Sequence, residues 1–217
     1  MVGMKLFVEG GGDSKALRTE CREGFAQFLK KAGVARYPRI VACGSRESAY
    51  HDFCTALANG QPALLLVDSE APIAAAHQPG DDMAGWKPLA HLARRPGDGW
   101  SRPGGADDRQ SHLMVQCMET WFLADRQTLR AVFGPGLRGS ALPVESRPVE
   151  DIDKGKLYQS INGATAKCKT RGSYGKGEHS FKLLALIDPV QLMAASPWAA
   201  RFVDELKGWA LKLRPWS

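Results

Sequence analysis

The chain has 217 residues, 44% of them hydrophobic and 24% charged, with a formal net charge of +6. That is length for one packed domain with an added lobe, and an ordinary composition for a globular protein. No apolar run nears the roughly 18 residues of a membrane span, Cys21, Cys43, Cys54, Cys117 and Cys168 form no CxxC pair, and Met1–Gly12 carries no secretory pattern, so a membrane protein, a disulfide scaffold and a zinc site are disfavoured and a cytoplasmic protein is expected.

Lys5–Val8 reads as a buried strand and Glu9-Gly10-Gly11-Gly12-Asp13-Ser14 as the turn after it. Asp13 or Ser14 caps a helix over Lys15–Lys31, where Leu17, Cys21, Phe25, Phe28 and Leu29 recur at helical spacing, and Gly33 ends it. Arg39–Cys43 is a second strand and Ser48–Ala58 a second helix, stopped by Asn59-Gly60. Ala63–Val67 is a third strand, whose unbroken apolar run suits a central parallel position. This alternation predicts an α/β sheet with right-handed crossovers. Ala71–Gln110 changes character: it is rich in proline and glycine, holds Trp86 and Trp100, and reads from Arg94 to Gln110 as a long exposed loop. His112–Cys117 is expected to form a fourth strand. Glu119–Phe133 is expected to be a helix with Trp121, Phe122, Leu129 and Val132 inward, closed by Gly134-Pro135-Gly136. After the polar link Arg138–Pro148, the segments Lys154–Ala166 and Ser180–Ile187 read as helices around a glycine-rich basic loop, Gly172–Gly177. Ala199–Leu213 reads as a final amphipathic helix. The expected architecture is an α/β core over 1–135, with a mostly parallel sheet of about four strands flanked by helices and a loop insertion at about 71–110. A basic, mainly helical part over 136–217 packs on it.

Two of the strands stop at carboxylates: the first at Glu9, the third at Asp68 and Glu70. Open parallel sheets bind ligands just beyond the carboxyl ends of their strands. Like charges gathered there repel unless a cation lies between them, and a hard divalent ion with oxygen ligands, Mg²⁺ or Mn²⁺, fits that place. In extended chain Asp68 and Glu70 point to the same side about 7 Å apart, a spacing for two ligands of one metal or one ligand each of two metals about 4 Å apart. Glu9 is also a candidate general base or acid. The glycines after it permit a tight turn and close approach of a polyanion, which a following helix N-terminus favours. Glu119, at the junction of the fourth strand and its helix, is a further candidate ligand, while Asp125 reads as structural or surface. Singly, each acid also suits a helix cap or a solvated strand end; their joint placement after two strands of one sheet carries the metal reading.

The positive charge is local. Between Lys154 and Lys182 lie Lys154, Lys156, Lys167, Lys169, Arg171, Lys176 and Lys182 against the single acid Glu178, and the rest of the chain is balanced. Such a patch attracts phosphates through counterion release. Lys154, Lys167, Lys169, Arg171, Tyr174 and Lys176 are the candidate nucleic-acid contacts. Lys176 would neutralise a scissile phosphate and His179 would give a proton to the leaving oxygen. With a metal and a base, phosphodiester hydrolysis is then chemically complete.

Phe7-Val8-Glu9-Gly10 followed by Leu66-Val67-Asp68-Ser69-Glu70 resembles the TOPRIM domain, shared by topoisomerases, bacterial primases, small maturation nucleases and the overcoming-lysogenization-defect nucleases. That signature is a glutamate after the first strand and a DxD-type pair after the third. Glu9 and Asp68 match it, and Glu70 stands one methylene longer where the second aspartate is usual. No tyrosine-bearing cleavage domain or primase zinc module is legible, which disfavours a topoisomerase or a complete primase. A closer likeness covers most of the chain. Val8-Glu9-Gly10, Gln116-Cys117-Met118-Glu119-Thr120-Trp121-Phe122-Leu123-Ala124-Asp125 and Tyr174-Gly175-Lys176-Gly177-Glu178-His179 resemble the bacterial TOPRIM-like family called domain of unknown function 4276. Its members are often encoded beside ABC- or SMC-type ATPases in settings suggestive of phage defence. The resemblance implies a TOPRIM-like fold, a role for Glu119 and the Tyr174–His179 loop, and an ATPase partner.

The leading expectation is a Mg²⁺- or Mn²⁺-dependent nuclease subunit acting on nucleic acid, with a homo-oligomer left open. The alternative is a non-catalytic nucleic-acid-binding or regulatory module docking on an ATPase through Trp86, Trp100, Trp198, Trp209 and Trp216. A small-molecule phosphotransferase is disfavoured, since Gly10–Gly12 lacks the GxxxxGK[ST] pattern of a P-loop.

Overall fold

The structure, a computed structural model, describes residues 3–169 and 171–212; the expected helix end Leu213 and the candidate anchor Trp216 lie outside these. Strand β1 (Lys5–Gly11) leads through α1 (Lys15–Lys31) to β2 (Arg39–Gly44), and α2 (Arg46–Ala58) leads to β3 (Ala63–Asp68). The insertion follows with α3 (Pro88–Arg94), then β4 (Ser111–Met114) and α4 (Arg126–Phe133). The C-terminal part is α5 (Lys154–Thr165), α6 (Lys176–Leu186), α7 (Pro189–Ala195) and α8 (Pro197–Lys212). Among the described residues the strands form one sheet in the order β2-β1-β3-β4, all parallel. The protein is therefore α/β, with a four-stranded parallel sheet flanked by helices and a helical C-terminal region.

The strands alternate between two apolar layers. Leu6, Val8, Leu64 and Leu66 face a layer that holds Phe25, Phe28 and Leu29 of α1 together with the C-terminal helices. Phe7, Leu65 and Val67 face a second layer with Ala49 and Phe53 of α2 and the insertion. β3 is buried at every position, as expected of a central parallel strand; each of its leucines contributes about 2 kcal/mol of apolar transfer. Ser14 caps α1, its side chain accepting from the Leu17 amide at 3.0 Å. Among the described residues no helix is long and apolar enough to cross a membrane.

Five local expectations are corrected. Glu119–Phe133 is not one helix: Met118–Ala124 is a 3₁₀ segment and α4 begins at Arg126. Asp125, 3% exposed, breaks it by accepting from the Thr128 amide at 3.0 Å, the Thr128 hydroxyl at 2.7 Å and the Asp188 amide at 2.9 Å. The stretch Arg94–Gln110 is a pinned segment rather than a free loop. Trp100 stacks on Tyr50 with ring centroids 4.0 Å apart, and Arg102 donates to the Ala106 carbonyl and the Asp108 carboxylate. The strand expected to reach Cys117 ends at Met114, because Gln116 takes a left-handed backbone with φ of 63°. The α6 helix starts at Lys176 rather than Ser180, so Lys176 and Gly177 belong to its first turn. Trp86 and Trp198, read as interface anchors, are buried against each other with ring centroids 4.7 Å apart.

Candidate metal centre

Glu9 near the end of β1 and Asp68 at the end of β3 are locked to their neighbours by main-chain donors. Oε2 of Glu9 accepts from the Asp68 amide at 2.9 Å, and Oδ1 of Asp68 accepts from the Met118 amide at 2.9 Å. Pairing of the third and fourth segments continues past the strands: the Ser69 amide donates to the Met114 carbonyl at 2.9 Å, the Glu70 amide to the Gln116 carbonyl at 3.1 Å, and the Gln116 amide to Oγ of Ser69 at 2.8 Å. These bonds swing the 118–124 segment, and with it Glu119, over the carboxyl edge of the sheet. Glu70 has φ of 62°, so Asp68 and Glu70 do not share the extended geometry expected of them. One oxygen each of Glu9, Asp68 and Glu70 nevertheless lies within 4.8 Å of the others.

The residues around these acids divide into two sides. Lys154, the first residue of α5, sets its Nζ 2.5 Å from Oε1 of Glu70 and 3.5 Å from Oδ2 of Asp68. On the other side lies a cavity of about 240 Å³ bordered by Glu9, Gly10, Asp68, Glu119, Lys176 and Ser180. Glu119 is 0% exposed. Its Oε1 accepts from the Tyr174 hydroxyl at 3.2 Å and the Ser180 hydroxyl at 3.3 Å, with Nζ of Lys176 at 3.8 Å. Its Oε2 is buried without a hydrogen-bond partner. At Gly11 φ is +88° and a Cβ would lie 2.8 Å from Cα of Arg18, so only glycine permits the turn that forms one wall of the cavity.

The acids hold protons and repel one another unequally. Burial pushes the Glu9 carboxyl up; the Asp68 amide opposes this and the charge of Glu70 adds to it. Asp68 is held well above the usual carboxylate range, first by burial and then by Glu9 and Glu119. For Lys154, burial disfavours the charged form, but Asp68 and Glu70 outweigh it and hold its pKa above the usual lysine value. Lys176 is likewise raised: burial acts against the charge and Glu119 and Asp68 overcome it. The hydroxyls of Tyr158 and Tyr174 are raised by burial and then by Glu119, so both stay neutral.

Glu9, Asp68, Glu70, Glu119, Lys154, Tyr174 and Lys176 thus converge on one centre. Lys154 and Tyr174, expected among the nucleic-acid contacts, point inward to carboxylates. Lys167, Lys169 and Arg171 are exposed on the link between α5 and α6. His179, expected as a proton donor, does not border the cavity. Its Nδ1 accepts from the Gly175 amide at 3.0 Å and its ring packs on Phe133, so it braces the first turn of α6. Ser180 was missed; its signal is the i, i+4 spacing from Lys176, which puts both on one helix face. A larger groove of about 470 Å³, bordered by Arg126, Arg147 and Gln191, lies apart from these acids. It gathers no comparable set of charges.

The donor set of Glu9, Asp68 and Glu70 is carboxylate oxygen throughout, which suits a hard divalent cation. Fold and centre together define a class, a parallel α/β protein with acidic residues collected at the carboxyl edge of its sheet. The chain belongs to the family described as a domain of unknown function, DUF4276, whose model matches residues 8–207. Neither curated proteins nor solved structures gave a match.

Proposed function

We propose that the protein is a divalent-metal-dependent phosphodiesterase of nucleic acid, of TOPRIM type. The observation that carries this reading is the meeting, in one cavity, of Glu9, Asp68 and Glu119 with the ammonium of Lys176. A divalent ion held by Glu9, Asp68 and Glu70, which offer oxygens within 4.8 Å of one another, would neutralise charge on a phosphate and acidify water. Glu9, its carboxyl raised by burial, is the proton acceptor for the attacking water. Lys176, with a side chain 58% exposed, stands at the mouth of the cavity and pairs with the phosphate as charge develops. The Gly10–Gly12 turn lets the sugar–phosphate chain come close, and Lys167, Lys169 and Arg171 hold it beyond the site. Buried Tyr174 and Ser180 orient Glu119. The family resemblance supports an ATPase partner and a place in phage defence; co-purification with an ATPase encoded beside the gene would test the first.

The test is cleavage of single- and double-stranded DNA and RNA with Mg²⁺ or Mn²⁺. Wild type cleaves only with metal, and Glu9→Gln and Asp68→Asn, shown folded by circular dichroism, lose at least about 100-fold in rate. Undiminished cleavage by both variants would sink the reading. A second reading has one observation in its favour: Lys154 already neutralises two of the acids, as a non-catalytic nucleic-acid-binding module would require. Salt-sensitive binding without metal affinity or cleavage would establish it instead.

A further inference from the structure

Two of the three clustered acids, Asp68 and Glu70, sit on one short turn, and the sheet alone does not hold it. Glu70 has φ of 62°, a backbone that a residue other than glycine keeps only where its surroundings impose it. Two side chains grip the carbonyls of that turn. Nε of Arg46, the first residue of α2, donates to the Asp68 carbonyl at 2.8 Å. Nε2 of His91, on α3 in the insertion, lies 3.0 Å from the Ser69 carbonyl; a carbonyl only accepts, so that nitrogen carries the proton. Arg46 is in turn held by the insertion. Its Nη1 meets Oδ2 of Asp98 at 2.5 Å, with the two side chains 10% and 9% exposed, and the other Asp98 oxygen takes Nη1 of Arg95 at 2.6 Å. The guanidinium carbon lies 4.3 Å from the Trp100 ring centre. Trp100 stacks on Tyr50, whose hydroxyl donates to the Ser101 carbonyl.

We propose that Arg46 is a positioning residue of the metal centre: clamped by Asp98 and Trp100 of the insertion, it fixes the Asp68–Glu70 turn so that both carboxylates meet one ion together with Glu9. This rests on the metal reading above and gives the insertion a part in it. Glu9, Asp68 and Glu70 offer oxygens within 4.8 Å of one another, and an ion is bound tightly when its ligands are held at that separation before it arrives. A guanidinium suits the task, because it is planar with donors in fixed directions. The pair with Asp98 and the stack on Trp100 set its plane, and Nε is then aimed at the Asp68 carbonyl. The Arg46–Asp98 pair is nearly buried, and breaking it would strand a charge, so the clamp stays closed. Arg46 donates to the main chain of Asp68 and makes its charge pair with Asp98, so it orients the ligand without neutralising it.

The experiment measures the Mn²⁺ affinity of the full chain by calorimetry, alongside thermal melts. Removing the Arg46 cation would by charge alone tighten Mn²⁺ binding; loss of positioning does the opposite. Arg46→Met and Trp100→Leu should each bind Mn²⁺ at least about ten-fold more weakly than wild type, and the double variant no more weakly than Arg46→Met alone. Phe53→Leu, about two turns along α2 and in the core, should lower the melting temperature and keep the wild-type affinity. Unchanged or tighter binding by folded Arg46→Met, additive losses in the double variant, or an equal loss in Phe53→Leu would each overturn the proposal while leaving a metal-dependent enzyme intact. No Mn²⁺ on wild type would overturn this proposal and the nuclease reading together. If Arg46→Met fails to fold, Trp100→Leu decides the matter, and wild-type affinity in it overturns the proposal.

Discussion

His112 on β4 is 0% exposed. Its Nδ1 lies 3.3 Å from a guanidinium nitrogen of Arg201, its ring packs on Phe202, and its Nε2 is buried without a partner. Burial, and after it the Arg201 charge, hold its pKa well below the usual histidine value. The imidazole is therefore neutral in the fold but takes a proton in the unfolded chain below about pH 6.5. The unfolded state binds more protons there, so this contribution to stability is whole above that pH and is lost as pH falls. His77 and His91 are lowered as well, and the raised acids act in the opposite direction, so a single variant isolates the effect. Relative to His112→Phe, wild type should lose about 1.4 kcal/mol per pH unit below about pH 6.5 in urea melts. Equal pH slopes for the two proteins would mean that His112 titrates normally in the fold.

At the scale of elements, the position of α6 decides whether the centre assembles, since it carries Lys176 and Ser180. It crosses α1 at Gly24, where a Cβ would lie 2.7 Å from the Phe181 carbonyl. In an open helix Gly→Ala gains about 1 kcal/mol; here the backbone approach reverses the sign. Gly24→Ala should destabilise by about 2 kcal/mol and lower any metal-dependent activity as α6 is pushed away. A stabilised variant would show that the crossing yields. The break at Asp125 has the same logic: its side chain is committed to Thr128 and Asp188, which frees the 118–124 segment to carry Glu119 to Asp68.

Across the whole molecule, Arg201 joins parts far apart in sequence. From α8, 2% exposed, it donates to the carbonyls of Met83 and Asp108 in the insertion and of Ser111 at β4. Its guanidinium also lies 5.6 Å from the Trp198 ring centre. Arg201→Met leaves those carbonyls unpaired, at about 1–3 kcal/mol each, and should loosen the insertion before the sheet. Limited proteolysis should then cut first within residues 71–110. Cleavage unchanged from wild type would show that Trp100 and Arg102 pin the segment unaided.

The sequence by itself determined the alternation of strands and helices, the parallel core and the placing of Glu9 and Asp68 at strand ends. Each of these follows from local rules, namely apolar period, capping residues and the glycine turn, which act over a few residues. It also marked Glu119, by its place at a strand–helix junction and again through the family resemblance, and Lys176. What only the tertiary structure decided is which side chains turn inward. Lys154 and Tyr174 lie in a segment that reads as a basic surface, yet α5 and α6 pack so that their polar ends meet Glu70 and Glu119. His179, in the same segment, is turned to brace a helix instead. Composition reports the charge of a segment but not the face on which it is presented; that face is set by helix packing across more than 50 residues of chain, as in the Tyr174–Glu119 bond with its separation of 55. Asp68 and Glu70 then outweigh the cost of burying Lys154 and keep its ammonium charged beside them.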